Sequence, residues 1–199
     1  MNFRFLILSI FLFALVQTNA LSHPHVFIHN GITFIFDDKG LAGFKLDWVF
    51  DEMFSNMLIH DYDKNKNGKF EDAEIKELKE GAFSNLKNFD YFTNVKINGK
   101  PFKVRFVRDF SAKIIKNRIV YQFIVPCHVK ATSPFKKINI SVHDKTFYCS
   151  VFLINDQIFF KNGSSYDYNY RIAKNTKEAF YYGQVYPEEI ILRFRLKDG

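Results

Sequence analysis

Two short stretches of the chain carry residues whose types and spacing suit metal chemistry. The first runs Asp63-Lys64-Asn65-Lys66-Asn67-Gly68-Lys69-Phe70-Glu71-Asp72-Ala73-Glu74. It fits the calcium-loop pattern D-x-[DN]-x-[DN]-G-x5-E at every fixed position. Calcium takes about six to eight oxygens at forgiving distances. Asp63, Asn65 and Asn67 supply side-chain oxygens at the first, third and fifth positions, and Gly68 permits the sharp turn. Lys69 contributes its backbone carbonyl, Glu71 acts directly or through water, and Glu74 closes the site with both carboxylate oxygens. Asn at the third and fifth positions lowers the site's charge, so the expected affinity is weak, roughly 10⁻⁴–10⁻³ M. No second loop of this kind is visible. A lone weak loop reads as a structural clip rather than a switch; its competing reading is a polar turn between helices.

The second stretch is Leu21-Ser22-His23-Pro24-His25-Val26-Phe27-Ile28-His29. Residues two apart on a strand share a face. His23 and His25 would then stand roughly 6.6 Å apart, two strand rises, with imidazoles able to meet on one cation. Zinc, nickel and copper accept imidazole nitrogen. His29 lies too far along a straight strand to join. The competing reading is a frayed terminus with exposed histidines.

The elements around these stretches follow from pattern. Residues 1–20 place Arg4 before the apolar run Phe5–Val16, with small residues closing at Ala20, the layout of a secretory signal peptide. The run is too short to span a bilayer as a permanent helix. The expectation is export to the periplasm, with cleavage after Ala20 or Ser22 and no transmembrane segment in the mature chain. Cleavage after Ala20 leaves His23 third, where amine, amides and imidazole chelate Cu(II) or Ni(II). Cleavage after Ser22 makes it first, offering amine and ring to one copper.

Residues 21–199 read as a single β-rich domain. The chain of 199 residues is 47% hydrophobic with 25 Phe and 10 Tyr, too apolar and aromatic for disorder. Apolar residues alternate through Ile32, Phe34 and Phe36, then Phe44, Leu46 and Trp48, two strands around a turn at Asp37–Gly40. The period changes at Asp51, a helix cap, and Met53, Phe54, Met57 and Leu58 then share one helical face. A second helix is expected from Asp72 to Asn88, burying Ile75, Leu78, Ala82, Phe83 and Leu86. Later strands are expected at Ile119–Val125, Ile138–His143, Phe147–Ile154 and Ile190–Leu196, while 155–189 resists assignment. The fold class is α+β, mainly β: a sandwich-like antiparallel body with one helix–calcium loop–helix, EF-hand-like excursion at 51–88.

The net charge of +7 is scattered and forms no dense stripe, which argues against nucleic acid. In an oxidising compartment Cys127 and Cys149 are expected to form a disulfide. Ligation of a metal with His23 and His25, or two buried thiols, are the alternatives. His143-Asp144 lies at a turn, where the Asp is expected to form the turn. No catalytic constellation is visible, so enzymatic activity is not expected.

Several segments resemble one bacterial family when taken in order. They are His23–Ile28, Ile32–Phe44, Trp48–Phe54, the calcium-type loop, Asn88–Phe102 and His143–Tyr148. That family carries a domain of unknown function and is described as the periplasmic component of an ABC-type transport system. Its genes often neighbour nickel/cobalt efflux-type permeases. The resemblance implies a periplasmic accessory to transport of a divalent transition metal, partnered with an inner-membrane metal permease. His23 and His25 carry over as metal contacts. The leading expectation is therefore an accessory that binds or hands over nickel, cobalt or zinc and is braced by calcium. The alternative is a calcium-stabilised structural or interaction module with no transition-metal role.

Overall fold

A computed structural model describes residues 24–197. The signal segment, both cleavage positions and His23 lie outside the described residues. Among these residues no helix is long and apolar enough to cross a membrane.

Among the described residues, ten strands form two five-stranded sheets that share one core. They are β1 (Val26–Phe36), β2 (Gly40–Phe50), β3 (Thr93–Ile97), β4 (Lys100–Phe102) and β5 (Arg108–Ile115), then β6 (Arg118–Lys130), β7 (Lys136–Val142), β8 (Cys149–Lys161), β9 (Tyr166–Lys174) and β10 (Glu188–Leu196). The first sheet has the order β5-β6-β2-β1-β8, the second β4-β3-β7-β10-β9. The second is wholly antiparallel. The first is mixed, because β8 runs parallel to β1. This corrects the expected all-antiparallel body: β8 returns to β1 only after the whole intervening chain, so no hairpin fixes its direction.

Alternation makes the strands. Ile32, Phe34, Phe36, Phe44, Leu46 and Trp48 are all buried, as their period requires. They meet Ile138, Ile190, Leu192 and Phe194 of the second sheet in the common core. The β1–β2 turn is drawn tight by Asp37, whose Oδ1 accepts from the Lys39 and Gly40 amides at 2.9 and 3.0 Å. Gly40 has φ +147°, and a Cβ there would stand 2.3 Å from the Val129 carbonyl oxygen. Only glycine fits that crossing.

The helical excursion comprises α1 (Glu52–Tyr62), α2 (Asp72–Gly81) and a 3-10 segment, Phe83–Phe92. Asp51 caps α1 as its type suggests, accepting from the Phe54 amide at 2.9 Å. The buried face differs from expectation. Met53 and Met57 are 69% and 51% exposed, while Ser55 and Leu58 are buried. A polar contact rotates the helix: Ser55 Oγ accepts from the Ile119 amide of β6 at 3.0 Å, and hydropathy does not register it. The second helix ends at Gly81, short of the expected Asn88, and tightens into 3-10 turns. Phe89, Asp90 and Tyr91 leave helical φ/ψ there altogether. Phe83 then stacks on Phe110 with ring centroids 4.0 Å apart. The unassigned stretch holds the rest of β8, all of β9, and a loop closed by a bridge between Phe180 and Val185.

Phe34 lies wholly buried between the rings of Phe44 and Phe160. Phe34→Ala should lower stability by about 3–5 kcal/mol in urea unfolding, the usual range for an aromatic removed from a packed core.

Candidate metal-binding loop

α1 and α2 hold the segment 63–74 between them, and its backbone hydrogen bonds face its own oxygens. Asp63 Oδ1 accepts from the Asn67 amide at 3.1 Å, and Oδ2 from the Gly68 amide at 2.9 Å. Glu74 Oε1 accepts from the Lys64 amide at 2.8 Å, and Oε2 from the Glu71 amide at 3.0 Å. Asn65 Oδ1 accepts from Asn67 N at 3.0 Å, and Asn67 Oδ1 from Lys69 N at 2.8 Å. A carboxylate or amide oxygen accepts two hydrogen bonds, so each of these oxygens keeps a lone pair for a further partner. Gly68 has φ +76° with open space where a Cβ would stand, so backbone conformation selects glycine here.

Burial sets two of these groups apart. Asp63 is 5% exposed and Glu74 is 6% exposed. No ion pair among the described residues involves either. Lys64, Lys66 and Lys69 belong to the same loop but are exposed. Buried carboxylates are ordinarily paired with a cation or bound to a metal. Glu71 is different: exposed, it accepts from the side-chain amides of Asn65 and Asn67 at 2.9 and 2.8 Å. The donor set is all oxygen, which suits a hard divalent cation rather than zinc or copper. Among the described residues no three His, Cys, Asp or Glu side chains converge on one point. The loop's further donors are amide and carbonyl oxygens, and Glu71 is turned toward its asparagines.

The histidines are arranged otherwise. Phe27 and His29 share the outward face of β1, and His25, just ahead of the strand, is exposed as well. The His25 ring lies 5.0 Å from that of Tyr148, and the His29 ring 5.9 Å from that of Phe152. The pair His23–His25 has only His25 within the described residues.

The expected disulfide is not formed; both thiols are free. Cys127 lies on β6 and Cys149 on β8, with β2 and β1 between them. Three strand spacings amount to about 14 Å, twice the roughly 7 Å limit for bridging two Cα atoms. Neighbours in sequence order are not neighbours in the sheet. Cys149 pairs with inward-facing Val26, so it points away from His25 and shares no ligand set with it. Burial pushes both thiols up to about 12.

The turn after β7 brings out a group that its sequence neighbourhood does not advertise. Asp144 is turn-forming: it accepts from Thr146 N, Thr146 Oγ1 and Cys149 N. His143 beside it is withdrawn from solvent, its ring 4.6 Å from Phe180. Its Nδ1 is 3.4 Å from Asn94 Nδ2 and 3.3 Å from Ser141 Oγ. Burial first, then the charge of Lys145, holds His143 down at about 4, against opposing pulls from Glu178, Asp144 and Glu189. A depressed folded-state value means that the unfolded chain takes up the proton first. Stability is thus full above about pH 6.5 and falls as pH drops toward 4. The loss should be about 3 kcal/mol across that window, and His143→Gln should flatten it in urea titrations at stepped pH.

Comparison with known proteins follows the chain through these elements. A 108-residue stretch is 34% identical to an uncharacterized 15.5 kDa protein in the trpE 3′ region of Spirochaeta aurantia, covering 53% of this chain and 71% of that one. Another of 149 residues is 24% identical to an uncharacterized protein of Haemophilus influenzae, covering 72% of this chain and 68% of that one. A family model described as a protein of unknown function (DUF1007) matches residues 8–193, spanning both sheets and the helical excursion. The chain therefore belongs to the DUF1007 family.

Proposed function

We propose that the protein is an exported, periplasmic binding module whose helical excursion is an EF-hand-type hairpin clipped by one calcium ion. Asp63, Asn65, Asn67, the Lys69 carbonyl and Glu74 hold the ion, with Glu71 in reach at the rim. The observation that carries this reading is the pair of buried carboxylates, Asp63 and Glu74, each met by backbone amides but by no cationic side chain among the described residues. A divalent cation between them supplies the missing countercharge and uses the lone pairs that the amides leave. With only two carboxylates in the inner set, the affinity belongs to the roughly 10⁻⁴–10⁻³ M class of extracellular modules. The role is structural bracing of a β scaffold that presents its surfaces to a partner.

Calcium at ten millimolar should raise the melting temperature of the full chain by about 4–8 °C over the EGTA-treated protein, from linkage at this affinity. Glu74→Gln should remove the increment and the calcium heat in titration calorimetry. A melting temperature indifferent to calcium in the unaltered protein rejects the clip.

A second reading makes the module an accessory to transition-metal transport, acting with a membrane permease through His23 and His25. In its favour is the exposure of His25, which stands just ahead of β1 and two residues beyond His23. Zinc, nickel or copper should then bind at micromolar strength or tighter, and His23→Ala/His25→Ala should abolish that binding. Equal binding by the double variant removes both ligands from consideration.

A further inference from the structure

Ser55 turns α1 so that both of its methionines, Met53 and Met57, stand largely in water. The side chain of His60, three residues beyond Met57, is 87% exposed. At 3.6 residues per turn these three fall within an arc of about 60° on one face of the helix. Neighbours three or four apart on a helix hold their Cβ atoms about 5–6 Å from each other. Helical side chains lean back toward the N-terminus, so Met57 and His60 both approach the turn that carries Met53. The rotatable bonds of the methionines close the remaining gap.

His60 is arranged as a metal ligand is. Its Nδ1 lies 3.1 Å from Asp61 Oδ1. A carboxylate can only accept, so Nδ1 carries the hydrogen and the neutral ring keeps its lone pair on Nε2. A histidine that donates to a carboxylate from one nitrogen and offers the other is the usual form of an imidazole ligand. The exposed carboxyl groups of Glu52 and Asp61 flank the row on its two sides, which favours a cation there.

We propose that this face of α1 binds one soft monovalent cation, Cu(I), through the thioether sulfurs of Met53 and Met57 and Nε2 of His60. Thioether sulfur is a soft donor that selects Cu(I), and imidazole suits copper as well. The loop at 63–74 offers hard oxygen instead, so the two regions of the hairpin do not draw on one set of donors. The site involves neither the calcium ligands nor His23 and His25.

The test titrates Cu(I), without oxygen and with a reductant, into the full chain labelled with ¹³C at its methionine methyl groups. The chain has three methionines, so Met53→Leu and Met57→Leu assign the two signals singly. One equivalent of Cu(I) should shift both, while Zn(II) leaves them in place. In competition with bicinchoninate, Met53→Leu/Met57→Leu should bind Cu(I) more weakly by over tenfold, the least that loss of a mere outer partner of a metal costs, about 10–100-fold. His60→Gln should weaken it likewise. Leu keeps the bulk and helix propensity of Met at these exposed positions, so the melting temperature of the double variant should not move. Unchanged Cu(I) affinity in the double variant overturns the proposal. So does Cu(I) uptake that leaves both methyl signals where they were, as capture by Cys127 or Cys149 would, or an equal shift with Zn(II).

Discussion

The arrangement turns on Asp51, a single carboxylate used from both sides. One oxygen caps α1 at the Phe54 amide, and the other accepts from the Phe27 amide of β1 at 2.8 Å. The Asp51 amide in turn donates to the Phe27 carbonyl at 2.9 Å. Strand pairing between β1 and β2 therefore runs straight into the first helical turn. Bonds to an ionised acceptor are each worth about 1.5–3 kcal/mol, and an N-cap adds order where the helix has none of its own. The helix hairpin is consequently tied to the strand that carries the outward His29 and the inward Asn30. Ser55 repeats the device one turn later against β6.

The protein treats its buried polar groups in two distinct ways. In the loop, the buried carboxyl groups of Asp63 and Glu74 are surrounded by backbone amides. Beside the second sheet, burial instead keeps His143 unprotonated and Cys149 protonated.

How much of this could be read from sequence depends on the range of the deciding contact. The paired strands at Ile32–Phe36 and Phe44–Trp48 were legible because alternation is local and each residue reports its own face. The Asp51 cap and the 63–74 loop were legible for the same reason, since their geometry is fixed within a dozen residues. The face of α1 was not, because Ser55 is drawn inward by a backbone amide 64 residues away. Met53 and Met57 look like core residues until that bond turns them out. The partner of β1 was equally hidden: nothing near Cys149 announces a parallel return to Val26, and the disulfide expectation failed with it. Asn30 left a trace, a lone polar residue in an apolar row.

The two thiols carry a practical corollary. Cys127 donates to the Leu41 carbonyl from within the core, whereas Cys149 is half-buried at the start of β8 and lines a cavity. With its ionisation suppressed and its sulfur enclosed in the core, Cys127 is shielded from alkylating agents while the fold is intact. The chain also needs no oxidant to mature, so it can be made in a reducing host. Modification of Cys127 over time then becomes a clock for how often the sandwich opens.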